Sequence, residues 1–195
     1  MTSPAIINSW SRGAMRRIRS FPDDVRLRVL DKITRGAQNA IARTRSDEWL
    51  PVEHVIEVCD ALVDVLERER AVEFWRDLVY DSWVGGLLEP LSHSLRDHED
   101  GTRARGEAVL ALAPAAWSIS ARNCGEIVVV PDDDGGRLRL EARGLPDVVE
   151  ASVGIRVMYA GAIKAMLVFA GLGPSVKIND AGGQFAFSLT FTSPT

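Results

Sequence analysis

The chain has 195 residues, 46% of them hydrophobic and 26% charged, with a mean hydropathy of zero. That composition fits a folded globular chain and excludes a disordered or membrane-embedded one. A net charge of -4 and a pI near 5.4 give no basic footprint, so duplex nucleic acid is not an expected partner.

A chain of this size buries about 70% of the surface its unfolded form exposes, enough for one sizeable core. Cys59 and Cys124 stand far apart without a CxxC or a histidine at ligand spacing, which fits reduced thiols. The opening "MTSPAIINSWSRGAMRRIRSF" lacks the continuous apolar run of a signal peptide. The expected location is the cytoplasm.

Residues 1–20 form a basic amphipathic segment, with Ile6, Ile7, Trp10, Met15 and Ile18 among Arg12, Arg16, Arg17 and Arg19. Such a stripe reads as a docking helix with solvated arginines; its alternative is contact with a membrane or partner surface. Residues 21–195 read as one domain, helical over 21–115 and sheet plus helix over 116–195. Ser20, Pro22, Asp23 and Asp24 open a helix expected from about 22 to 44. After the break "SDEWLP", the apolar positions Val55, Val58, Cys59, Leu62, Val65 and Leu66 recur every three or four residues and predict a second helix. A third runs through Phe74, Trp75, Leu78, Val79, Trp83, Leu87 and Leu91, interrupted at Gly85-Gly86 and Pro90. Residues 97–106 read as a polar loop, and "EAVLALAPAAW" as a short helix stopped by Pro114.

From there the pattern turns to strands, expected at 117–122, 126–130 and 137–142, with Asp134-Gly135-Gly136 as a hairpin turn. A long, nearly apolar helix follows from about 147 to 170, and "PSVKIND" and "QFAFSLTF" close the chain as two strands. Glu150, Arg156 and Lys164 weigh against reading that helix as a membrane span, while its many Gly and Ala suit close packing. The predicted class is α+β: a helical N-terminal half on a small antiparallel sheet, with one long buried helix near the C-terminus.

Motifs for chemistry are few. His93 and His98 are five apart, off the i, i+4 spacing that places two imidazoles on one metal, and His54 has only Glu57 nearby. There is no G-x-S-x-G, "DDDGG" lacks the spaced ligands of a calcium loop, and "GLGPS" lacks the strand-to-helix context of a phosphate cradle. No catalytic residue and no metal site is assigned. Aromatic helical surface is what the sequence has in excess, and Trp75, Trp83, Met158 and Phe169 are its candidates for an apolar ligand site between helices and sheet.

From about residue 47 onward the chain resembles a myxobacterial family of proteins of unknown function and similar length. That family belongs with haem nitric-oxide/oxygen-binding domains, 4-vinyl-reductase-type domains and TRAPP vesicle-tethering subunits. The resemblance rests on the pattern of "EWLPVEHVIEVCDALVDVLERERAVEFWRDLVYDSWVGGLLEPL", "LALAPAAW", "GRLRLEARGLPDVVEASVGIRVMYAGAIKAMLVFAG" and "VKINDAGGQFAFSLTF". It implies haem-based gas sensing, binding of a small hydrophobic molecule, or dimeric scaffolding. The haem-binding relatives carry Tyr-x-Ser-x-Arg followed by Gly-Leu on a strand, where this chain reads Arg139-x-Glu141-x-Arg143-Gly144-Leu145. Glu141 would meet propionates with like charge, and His93 and His98 lie farther upstream of Pro114 than the relatives' proximal histidine, so no cofactor is expected and haem is disfavoured. Instead "RLEARGL" reads as a strand with Leu138, Leu140 and Ala142 inward and Arg139, Glu141 and Arg143 outward in cross-strand ion pairs. The expected function is a non-enzymatic regulatory or sensory domain that binds a small apolar ligand, with a protein-interaction or homodimerisation module as the alternative.

Overall fold

The computed structural model describes residues 3–83, 101–131, 138–179 and 185–192. The hairpin tip at 134–136, both His93 and His98, and the glycine and proline interruptions at 85–90 lie outside them.

The chain enters through strand β1 (Ala5–Ile7) and continues directly into helix α1 (Asn8–Ile18). Ala14, Met15 and Ile18 of α1 are buried, and Asn8, Arg12 and Arg17 tie it to other helices. Asn8 donates through Nδ2 to the carbonyls of Ile41 and Thr44 at 3.0 and 2.7 Å, and Arg12 donates to those of Ala42 and Thr44. These carbonyls end a helix and have no intrahelical partner, so α1 satisfies them with side chains. Arg17 bonds Asp77 and Asp81 at 3.2 and 2.9 Å. The basic opening segment is docked on the chain's own helices.

Residues 22–44, expected as one helix, are two: α2 (Asp23–Lys32) and α3 (Arg35–Arg43). Thr34 causes the break, because its Oγ1 accepts from the Ala37 amide as an N-cap while its own amide donates to the Glu57 carboxylate at 2.9 Å. Strand β2 (Trp49–Pro51) leads into α4 (Val52–Leu66), and α5 (Arg68–Trp83) follows after Glu67.

Helix α6 (Gly101–Leu110) begins inside the stretch expected to be a loop. Pro114, expected to stop a helix, sits in the first turn of the next, α7 (Ala113–Ser120), where a proline costs no hydrogen bond. The strand predicted from 117 is therefore helical to Ser120, and only β3 (Ala121–Arg122) is extended. Strands β4 (Glu126–Pro131) and β5 (Leu138–Arg143) come next, then α8 (Asp147–Ala151), α9 (Val153–Phe169), β6 (Gly173–Asn179) and β7 (Ala186–Thr192).

Two antiparallel sheets result. The small one has the order β2-β1-β3, and the larger one β4-β5-β7-β6, with Val129 opposite Leu140 and Leu140 opposite Phe187. Helix α9 lies between the larger sheet and the pair α4 and α5, and twelve of its seventeen residues are buried. The architecture is α+β, as its sequence pattern predicts.

The single helix expected over 147–170 is interrupted at Ser152. Its hydroxyl accepts from the Ile155 amide and donates to Asp60 Oδ1, each at 3.0 Å, and the same carboxylate accepts from the Gly154 amide at 2.8 Å. A carboxylate of α4 thus meets the positive end of α9, where the helix dipole favours it. Lys164, the charge within the apolar stretch, reaches out of the core to Glu73, which also pairs with Arg76. No helix among the described residues is long and apolar enough to cross a membrane.

Gly154 and Gly161 set how close α9 comes. A Cβ on Gly154 would meet the backbone of Cys59 and Asp60, and one on Gly161 would lie 2.5 Å from Trp75 Cβ and 2.7 Å from the Val72 carbonyl oxygen. Alanine gains up to about 1 kcal/mol of helix propensity over glycine, but forced overpacking against backbone costs about 1–3 kcal/mol. The clash wins, so Gly161→Ala lowers the unfolding free energy by about 1–2 kcal/mol, measurable as a reduced urea midpoint with unchanged slope.

Candidate functional site

Helix α9 has two working faces. Gly154, Met158 and Gly161 meet α4 and α5, whereas Tyr159, Ala162, Ile163 and Met166 point to a space bounded by α7 and the larger sheet. The separation follows from the helical period: residues three and four apart share a face. On the second face the side chains leave a void of about 50 Å³.

Four elements line that void opposite α9. Helix α7 contributes Ala116, Trp117 and Ser120, the sheet contributes Ile127 and Leu140, and α1 and α5 add Trp10 and Trp83. Trp117 is the central wall. Its ring centroid lies 4.1 Å from that of Tyr159, and its indole Nε1 donates to the Gly125 carbonyl at 2.8 Å. Tyr159 also meets Phe185 edge-on at 6.0 Å.

Two of the polar groups around the space are committed elsewhere. Ser120 directs its hydroxyl to the helix carbonyls of Ala116 and Trp117, and the Trp117 N–H is spent on Gly125. A buried water needs two to four polar partners, and apolar cavities without them stay dry. Burial pushes the Tyr159 hydroxyl well above its ordinary pKa, with smaller contributions from Cys124 and Cys59. Desolvation also raises the thiols of Cys59 and Cys124, leaving both protonated and weakly nucleophilic at neutral pH. Among the described residues no group of His, Cys, Asp and Glu is placed to hold a metal ion.

Of the four residues singled out from the sequence, Trp83 lines the void. Phe169 stands behind it, edge to face at 5.4 Å between ring centroids. Trp75 and Met158 are fully buried on the α4 and α5 side, where Met158 Sδ accepts from the Cys59 thiol at 3.6 Å. Sequence periodicity identified these as large apolar residues but not which face of α9 they would share. Trp10, Trp117 and Tyr159 were visible as aromatics, yet Trp117 fell in a stretch expected to be a strand.

On β5 the side chains of Leu140 and Ala142 are buried, as the alternation predicts; that of Leu138 lies outside the described ones. Glu141 differs from expectation. It is buried, and it binds Arg139 and Arg143 of its own strand, so the ion pairing runs along β5 rather than across it. Hydrogen bonds from Arg143 and then Arg139 hold its carboxyl below the usual value.

No family model and no curated protein matches the chain. Solved structures do. It is similar to a mutant of the unliganded Fe(II) H-NOX protein of K. algicida, with 8% identity, a TM-score of 0.58, and coverage of 96% of this chain and 97% of that one. It is also similar to a Cs H-NOX mutant containing an unnatural amino acid, with 12% identity, a TM-score of 0.50, and coverage of 97% and 98%. The chain therefore has the H-NOX fold along nearly its whole length.

That likeness corrects one expectation. The reading that no cofactor is held, and haem least of all, rested on Arg139-x-Glu141-x-Arg143 and on the positions of His93 and His98, but the two solved structures to which the chain is similar are H-NOX proteins, one of them an unliganded Fe(II) form. The expectation that haem is disfavoured therefore does not stand. The space between α9, α7 and the larger sheet measures about 50 Å³, and an open groove of about 940 Å³ adjoins it.

The Glu141 pairs make a pH prediction. A carboxyl whose folded pKa lies below its ordinary value of 4.5 stabilises the fold above that value and loses the contribution as pH falls through the folded one. Glu141→Gln is therefore less stable than the parent at pH 7, and the gap narrows progressively below about pH 4.3 in paired urea titrations.

Proposed function

We propose that this chain is a non-enzymatic sensory domain whose ligand-binding place is the dry void between α9, α7 and the larger sheet. The observation that carries this reading is the void's lining: Trp10, Trp83, Trp117 and Tyr159 converge there, and the nearby polar atoms of Ser120 and Trp117 already have partners. A space of this kind rejects water and accepts a small apolar molecule. Trp83, with Phe169 behind it, forms one wall; Trp75 and Met158 act from the opposite face of α9 by fixing its position. The fold supports the reading, because two solved structures similar to the chain are H-NOX proteins.

Xenon is a suitable probe of an apolar void. In methyl NMR spectra under xenon pressure, Met166, Ile163 and Ile127 shift in a saturable way, and Ala162→Val abolishes the shifts by filling the space. Unmoved methyls would refute the void as a site. Absorption spectra after haemin titration test the larger ligand: a one-to-one Soret band would make porphyrin the occupant and require the aromatic walls to part.

A second reading, a protein-interaction module, is favoured by Ile119 and Leu112 at α7, which are 73% and 41% exposed. On this reading the chain self-associates at micromolar concentration in light scattering, and Ile119→Asp returns it to monomer. A concentration-independent monomer mass removes the homodimer form of that reading.

A further inference from the structure

A second space adjoins the void. An open groove of about 940 Å³ runs between α1 and the C-terminal end of α5, and Trp10, Val79 and Trp83 line both spaces. These three side chains are a common partition, with the dry void on one face and the groove on the other. Both tryptophans are half-buried, and Trp83 belongs to the last residue of its helix as described.

The groove differs in chemistry from the void. Its floor continues the apolar wall through Leu78 and Val79, but its rim carries Arg12, Arg16, Arg45, Asp47 and Asp81. Both acids are already neutralised: Asp47 pairs with Arg45 at 3.0 Å and Asp81 with Arg17 at 2.9 Å. Arg12 is spent only on the neutral carbonyls of Ala42 and Thr44. Arg16 is exposed and meets no carboxylate among the described residues. Two positive charges are left over beside an apolar floor.

We infer that the ligand of this domain is a short-chain carboxylate, whose tail of a few carbons passes between Trp10 and Trp83 into the void of about 50 Å³ and whose head lies in the groove against Arg12 and Arg16. The inference rests on the void being the ligand site, and it adds a polar outer half to it. A guanidinium binds a carboxylate through paired, charge-assisted hydrogen bonds. A neutral apolar molecule uses only the inner half and leaves both arginines idle. The partition must give way for the tail to pass, and the half-buried side chains of Trp10 and Trp83 can swing without breaking any backbone hydrogen bond.

The test is calorimetric titration of the full chain with pentanoate and with pentanol, which share a tail short enough for the void and differ in the head. Pentanoate is expected to bind about tenfold more tightly, the worth of one charged hydrogen-bonded contact. Arg16→Gln, whose parent side chain touches no described acid, should remove that preference and leave pentanol binding unchanged, while Arg28→Gln on the distant α2 should preserve it. Ala162→Val should weaken both ligands. Equal binding of acid and alcohol, or a preference that survives Arg16→Gln, overturns the inference. Failure of both amphiphiles with xenon shifts intact overturns it and leaves the void standing, whereas loss of the xenon shifts as well removes the underlying reading.

Discussion

The close approach of α9 to α4 and α5 is the constraint on which the rest depends. At Gly154 and Gly161 backbone meets backbone and side-chain root, with no room for a Cβ. Interiors are packed to the density of organic crystals, so a helix held this tightly cannot rotate by a few degrees without loss. The Asp60 carboxylate fixes its axial position through Ser152 and Gly154. With one face locked, the other must present Tyr159, Ala162, Ile163 and Met166 to α7 and the sheet. The void is what remains where those side chains and Trp117 fail to fill the space.

That arrangement separates stability from ligand chemistry within a single helix. The locked face is dense and built from small residues, with Trp75 and Met158 packed against it. The open face is aromatic and less completely filled. Changes on the first face act through the position of α9, and changes on the second act on the void directly. The ionic cluster of Arg139, Glu141 and Arg143 belongs to neither; it secures the strand that carries Leu140, a residue of the void's floor.

Much of the architecture was legible in the sequence. Apolar periodicity gave α4, α5 and α9, and alternation gave β4 and β5, because these elements bury one face against a single core. The errors occurred where one side chain's hydrogen bonding decided the outcome. Thr34 splits a helix by capping its second half, Ser152 does the same before α9, and Pro114 begins a helix because nothing in its first turn needs the missing N–H. Such choices depend on partners such as Glu57 and Asp60, which lie far away in sequence. The site was less legible for the same reason. A list of large apolar residues does not say which of them share a helix face, and Trp75 and Trp83 look equivalent until α5 is set against α9.

Strand β1 has a consequence for how the chain is assembled. Residues 5–7 occupy the middle of the small sheet, between β2 at residues 49–51 and β3 at residues 121–122. One edge of β1 can therefore pair early in synthesis, but the other waits until more than a hundred further residues have been made. Non-local pairings of this kind are slow to close and leave a strand edge open in the meantime. For a nascent chain, a segment made long before its second partner is among the last to be completed, and Ile6, buried in the finished fold, spends that interval without its second neighbour.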